Sequence, residues 1–511
     1  MSHRATPPEP PDRGHVRRVG RGGSLNLGAS VVAATLGIAL AAVVTNGFSK
    51  RQAGVYFTVT SLAVIAATVS RIGTPVGLVY WIARLRSLGR VGEISSLLRI
   101  AVTPVVIVSA LIGIGFVVAA PAISDVLFDG STRPVPLLRV VGILMPAIAL
   151  SDVMMGATRG FGTMRTTAFV ERIGRPTMQV LLMLAAVAMG SLLFASAAWA
   201  LPYLVTTVVA AVWLHRLIRR SAVERTTRDP KLRREFWSFT WPRSITSVVQ
   251  VALQRLDIIL VSALVSPAEA ALYGVATRFL VVGQLTNSAL SQAAQPQLAS
   301  LISRGDKVSA NDLYRTTTGW VIIMNGPLYL VVAAFSPLLL GIFGEQYTQA
   351  WPVTVALCVA AFIGNSVGMV DVMLSMAGRT TWNLMNALLA LTVQVGLDLL
   401  LIPRYGAFGA ALGWGASILT ANLVPLTQLA VVDGLHPFGR NSLWALGVVL
   451  GCVGLPVMVV VATVGQTWGG LLLALAISGA LYAGAVALLR APLHVDDLVA
   501  ALRKRRVPPN E

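Results

Sequence analysis

Charge is what this 511-residue chain has least of: Asp, Glu, Lys and Arg together make up 12% of it. Soluble domains carry about 25%, and acidic residues are the scarcer kind here, 21 against 40 Lys and Arg. With 55% of residues hydrophobic and a mean hydropathy of +0.75, too little polar surface exists to face water on all sides. That excludes an ordinary soluble domain, and lipid is the solvent that suits such a chain. Cysteine is nearly absent as well. Cys358 and Cys452 both lie in apolar runs, which argues against a disulfide framework and a cysteine metal site. Both read as small packing residues, and neither a metal nor a cofactor is expected.

What the chain does have is a series of apolar runs of about 20 residues, the length that crosses a bilayer as a helix. They begin near Leu25, Gly54, Ile100, Leu137, Thr167, Leu192, Trp237, Ala270, Gly319, Trp351, Trp382, Ala407, Ser442 and Trp468. The expected fold class is an all-α membrane protein of about fourteen transmembrane helices, with twelve as the lower count. Residues 1–23 are rich in Pro, Gly and Arg and read as a disordered basic tail. The run from Leu25 to Val44 is long enough to span, and reads as an uncleaved anchor rather than a signal peptide.

The basic residues orient these spans. With the N-terminus inside and sides alternating, 31 of the 40 Lys and Arg fall in inner segments. Five fall outside (Lys50, Arg51, Arg133, Arg139 and Arg404), and four lie within spans: Arg71, Arg243, Arg255 and Arg278. Cytoplasmic loops carry such an excess, so a multi-pass cell-membrane protein with both termini in the cytoplasm is expected. The net charge of +19 is thereby spread over loops and tails that meet anionic headgroups. Nucleic-acid binding needs a concentrated basic surface, and no nucleic-acid partner is expected.

Short matches point to two related halves. Gly54-Val55-Tyr56 and Ala271-Leu272-Tyr273 open the second and eighth spans at an offset of 217. Arg165-Thr166-Thr167 and Arg379-Thr380-Thr381 precede the fifth and eleventh at 214, and Gln179-Val180 and Gln394-Val395 follow at 215. Six spans per repeat is an even number, so the halves have parallel topology and a site between them. The expected domains are an N-lobe over 24–220, a cytoplasmic linker over 221–236 and a C-lobe over 237–433. Two added spans over 434–490 and a cytoplasmic tail over 491–511 complete the chain.

Several motifs carry a resemblance. They are Gly54-Val55-Tyr56, Arg71-Ile72-Gly73-Thr74-Pro75, Arg159-Gly160-Phe161-Gly162 and Arg255-Leu256-Asp257. With them go Tyr273-Gly274, Ala276-Thr277-Arg278 and Ile402-Pro403-Arg404-Tyr405-Gly406, followed by Gly409-Ala410-Ala411. On these the chain resembles, over nearly its whole length, the polysaccharide-transporter (O-antigen-type) flippases of the multidrug/oligosaccharidyl-lipid/polysaccharide exporter superfamily. The resemblance implies a V-shaped pair of six-helix lobes around a central cavity, alternating access, and a polyprenyl-pyrophosphate-linked oligosaccharide as substrate. It implies no catalytic residue, since the family performs no covalent chemistry. Glycosyltransferases or a polymerase of a polysaccharide pathway are the implied protein partners, beside membrane lipids.

Moving a sugar and a phosphate across about 30 Å of hydrocarbon requires a wet polar cavity with cations. Arg243, Ser247, Gln250, Gln254 and Asp257 share one face of the seventh span, and Thr277, Gln284, Ser288, Ser291 and Gln295 mark the eighth. In the first half, Ser61, Thr68 and Arg71 fall broadly on one face of the second span. The cavity candidates are Arg71, Arg255, Arg278, Gln250, Gln254 and Gln284, with guanidinium geometry suited to phosphate. Asp257 is the ion-coupling candidate; alternatively it forms a salt bridge with Arg278 at similar depth. Asp152, Asp371 and Asp398 are candidates for ion coupling as well, but read more readily as loop or packing residues, with Asp398 near an outer edge. Pro75, Pro202, Pro242, Gly283 and Pro327 either loosen helices that rock or set turns, and Gly409 with Gly413 reads as a close helix contact.

Three rival functions differ in what they need. A multidrug or cation antiporter of the same fold needs carboxylates where this chain has arginines. A membrane glycosyltransferase or ligase builds its site on a large outer loop, and the longest one here runs only from Pro121 to Pro136. A scaffold working through its basic tails would not need polar stripes inside its spans.

Overall fold

The computed structural model describes residues 13–220 and 231–493. The basic residues of the extreme tails and of the linker centre therefore lie outside the described residues. Within them the chain is helical, without strands. Eleven helices are long and apolar enough to cross a membrane. One of these, Thr380–Asp433, runs for 54 residues through Gly406, whose φ of 55° and ψ of −135° fold it into a hairpin of two passes. Glycine is required there because a side chain rarely adopts that backbone. Two further stretches, Thr167–Ala188 and Pro267–Ser303, carry more polar residues and complete fourteen passes.

In chain order these are α1 (Arg13–Gly47), α2 (Lys50–Arg71, continued past a kink as Thr74–Ser87), α3 (Ile94–Val118) and α4 (Val135–Gly160). Then follow α5 (a π-helical turn Thr167–Gly174 leading into Arg175–Ala188), α6 (Leu192–Arg220), α7 (Lys231–Leu264) and α8 (Pro267–Ala276, continued to Ser303). The last six are α9 (Lys307–Ala334), α10 (Trp351–Ser366 with Val370–Met376), α11 and α12 (the two arms of Thr380–Asp433), α13 (Arg440–Thr463) and α14 (Trp468–Leu488). Short helices Ala120–Leu127 and Ser336–Gly341 follow α3 and α9.

Local chemistry explains the repeated starts. Ser49 caps α2 by accepting from Gln52 N–H, while Gln52 Oε1 accepts from Ser49 N–H at 3.0 Å, a reciprocal capping box. Ser266 caps α8 in the same way, accepting from Glu269 N–H at 3.2 Å, and 266 lies 217 beyond 49. Pro136 and Pro352, 216 apart, each stand in the first turn of α4 and α10, where the missing N–H costs nothing.

Two expectations need correction. Helix α1 already runs from Arg13, inside the stretch read as disordered, because the last tail proline is Pro11 and nothing after it blocks a helix. Lys231 to Phe236, read as linker, form the first turns of α7, since Phe236 and Leu232 are buried against the foot of α2.

The two lobes share one apolar core at the end of the molecule with the short connections. There Val44, Phe57 and Phe128 join Tyr273, Phe343 and Tyr347. At the opposite end the cores are separate, one under α3, α4 and the foot of α7, the other under α8 to α12. Two hydrogen bonds seal the shared end. Asn46 at the end of α1 donates to Ile342 O at 3.0 Å, and Ser262 near the end of α7 donates to Leu127 O at 3.0 Å. The donors lie 216 apart and the acceptors 215, so each lobe reaches into the other at the same place of the repeat.

Candidate functional site

The central helices α2, α7 and α8 position the charged residues. Helix α2 breaks after Arg71, where Ile72 (φ 47°) and Gly73 (φ 69°) are left-handed. The break lets the backbone touch α7: a Cβ on Gly73 would stand 2.8 Å from Thr240 O. Arg71 is thereby aimed into the N-lobe, where its Nη1 lies 2.6 Å from Asp152. Arg175 approaches the same carboxylate at 3.8 Å, with its guanidinium 4.6 Å above the Tyr203 ring. Arg71, expected to face the cavity, is paired with Asp152 instead. Asp152, weighed in the sequence as an ion-coupling or packing residue, is the carboxylate that both arginines meet. The π-helical turn that swings Arg175 inward has no mark in the sequence.

Arg255 and Arg278 are differently placed. Both line a small cavity of about 80 Å³ between the lobes, together with Gly37, Tyr56, Thr60 and Trp199. Arg278 lies 5.1 Å from the centre of the Phe57 ring, and its Nε donates to Gly274 O at 3.1 Å. Among the described residues, no carboxylate lies within 4 Å of either guanidinium. The alternative of an Asp257–Arg278 salt bridge is not realised.

Asp257 instead turns into the C-lobe. Only 1% exposed, it accepts from the Tyr273 hydroxyl and from the Gln394 side-chain amide. The Asp398 carboxyl is buried nearby, with neither oxygen hydrogen-bonded among the described residues. Asp398, eight residues before the hairpin turn at Gly406, is fully buried because the α11–α12 hairpin folds Gly413 against it. Gly409 likewise meets Leu401 O, so the two glycines serve the close contact expected of them.

Three residues of the polar stripes, Arg243, Gln250 and Gln284, reach a larger cavity of about 660 Å³ within the C-lobe. Gln250 and Arg243 of α7, Gln284 and Asn287 of α8, and Asn365 and Asp371 of α10 contribute to its wall. Gln254 is exposed but does not line it. Thus the structure gathers Gln250 with Gln284 and Arg255 with Arg278, and sets Arg71 and Asp257 apart, each inside its own lobe.

Comparison with known proteins fits this architecture. The chain resembles the inward closed conformation of the lipid II flippase MurJ at 14% identity, with 92% of this chain and 98% of that chain covered and a TM-score of 0.68. It resembles the inward-facing conformation of a multidrug resistance MATE family transporter at 14% identity, 81% and 99% coverage and a TM-score of 0.67. An outward-facing conformation of such a transporter gives 0.55 at 16% identity, with 82% and 98% covered. No curated protein matches the sequence. These likenesses show the fold, that of the superfamily's membrane transporters. Residues 94–352, half of the sequence, match the family described as polysaccharide biosynthesis protein, and the chain belongs to that family.

Proposed function

We propose that the protein is a flippase that moves a polyprenyl-pyrophosphate-linked oligosaccharide across the cytoplasmic membrane by alternating access, for cell-surface polysaccharide synthesis. The observation that carries this reading is the pair Arg255 and Arg278, two cations without carboxylate partners in one inter-lobe cavity. Guanidinium groups left free of carboxylates are suited to bidentate contact with phosphate oxygens. The amide-rich C-lobe cavity beside them can take the sugars. Helices α1 and α8 meet over a short stretch only, which gives the lipid tail a way to stay in the bilayer.

Asp257, hydrogen-bonded by Tyr273 and Gln394 and facing Asp398, is the ion-coupling site in this reading. Two carboxyls side by side repel when both are ionised, and a proton or cation between them removes the repulsion. The 31-to-5 distribution of basic residues puts both termini in the cytoplasm, so the sealed end faces outward.

A cation antiporter remains the rival. Against it, Asp257 and Asp398 are buried and line neither of these two cavities, Asp152 is held by two arginines, and the carboxylate that does line the C-lobe cavity, Asp371, shares its wall with Arg243. The test is export of lipid-linked glycan in Arg255→Ala and Arg278→Ala cells at matched protein levels. Loss of export in both supports the flippase. Normal export, with lowered resistance to cationic drugs on deletion, would establish the antiporter instead.

A further inference from the structure

The N-lobe has a second cavity, of about 490 Å³, at the sealed end of the molecule and away from the inter-lobe site. It opens among the first turns of α2, α4 and α6. Its wall is apolar, with Val55, Leu137, Leu192 and Leu193, and its rim carries Arg51 and Arg133.

The other repeat shows what this place looks like when the protein fills it itself. Ser131, which lines the cavity, corresponds at an offset of 216 to Tyr347, whose ring is fully buried. Arg133 corresponds to Gln349 at the same offset, and Arg51 to Ala268 at 217. Gln52 corresponds to Glu269, whose carboxylate accepts from Ala407 N–H at 3.2 Å where α12 begins. Leu192, at the equivalent start of α6, lines the N-lobe cavity, while Gln52 folds back onto Ser49 instead. One lobe therefore closes this position with an aromatic ring and caps it with its own anion. The other lacks both the ring and the carboxylate and gains two arginines.

Arg51 does face Asp129, at 3.3 Å, but both side chains are more than half exposed. An exposed pair of this kind contributes little and gives way to a better anion.

We propose that the N-lobe cavity rimmed by Arg51 and Arg133 binds the phosphate headgroup of an anionic lipid from the leaflet it faces. An amphiphile fits better than a free anion because cations and apolar wall occur together. The starts of three spanning helices also set the cavity at headgroup depth. An anionic headgroup is attracted by each basic residue at that level. The proposal is independent of what crosses the inter-lobe site, and its test needs no transport.

The experiment uses the full chain in nanodiscs containing a photoactivatable phosphatidylglycerol, with the phosphatidylcholine analogue in parallel. Crosslinks to the segment 131–137 should favour phosphatidylglycerol. Arg133→Gln should lower them about fivefold, the weight of one basic contact to an anionic headgroup. Ser131→Tyr, which installs the ring of the other repeat, should abolish them. Since Arg133 is exposed, its replacement leaves folding intact even where Ser131→Tyr does not. Equal crosslinking by the two lipids, or undiminished crosslinking in Arg133→Gln, would overturn the proposal. So would competition by millimolar inorganic phosphate with no lipid preference, which would make the ligand a free anion.

Discussion

Asp152 lies between Arg71 and Arg175, 2.6 and 3.8 Å away, all three side chains about one-fifth exposed. Removing the carboxylate leaves two guanidinium groups facing each other with little water to screen them. Asp152→Asn should therefore destabilise the fold by about 3 kcal/mol, the usual cost of breaking a buried pair from one side. Arg71→Gln added to it should recover part of the loss. Thermal unfolding in detergent measures both, and a double variant less stable than Asp152→Asn would show that Arg71 contributes beyond the pair. Arg71 and Arg255 look alike in the sequence, each an arginine within a span. Helical period relates residues of one helix, and of the stripes it marked on α7 and α8 only Arg243, Gln250 and Gln284 reach the cavity wall. Asp152 belongs to a different helix, and nothing in a single helix reports which neighbour it meets.

At the scale of elements, the two bonds at the sealed end form a latch repeated by the fold. Asn46 to Ile342 and Ser262 to Leu127 tie each lobe's first helix to the short helix region of the other. Each bond contributes about 1 kcal/mol, or roughly fivefold in an equilibrium constant. Asn46→Ala with Ser262→Ala should accordingly raise the population opened at that end by about twenty- to thirtyfold if the two contributions add. Spin labels at Asp129 and Gln346, on opposite lobes, would report it as a longer distance component. An unchanged distance distribution in the double variant rules the latch out. Three short sequence matches were enough to reveal the repeat, and the helix starts follow it: Lys50 and Pro267 differ by 217, Val135 and Trp351 by 216, Leu192 and Ala407 by 215. The breaks were harder to read. The two arms of the 54-residue helix were legible as apolar runs near Trp382 and Ala407, but Gly406 looks like any glycine in a small-residue motif, and its positive φ shows that it makes the turn.

For the whole molecule, hydropathy and loop charge together carried most of what was legible, because lipid imposes both on every span. Eleven helices meet the apolar criterion directly. Those that do not, α5 and α8, carry Arg175 and Arg278, while α2, α4 and α7 meet it and still bring Arg71, Asp152 and Arg255 into the protein. The lobes' pose was not legible, since a shared apolar core at one end and separate cores at the other arise from contacts between distant segments. Orientation is the remaining whole-molecule inference, and it can be tested without reference to substrate. In a Cys358→Ala, Cys452→Ala background, a cysteine at Gln346 should react with a membrane-impermeant maleimide added to intact cells. A cysteine at Arg304, on the connection between α8 and α9, should react only after permeabilisation. Both positions are exposed, so access depends on the side of the membrane and not on burial. The reverse pattern would turn the molecule over: the latched end would then face the cytoplasm, and the N-lobe cavity would meet lipids of the inner leaflet.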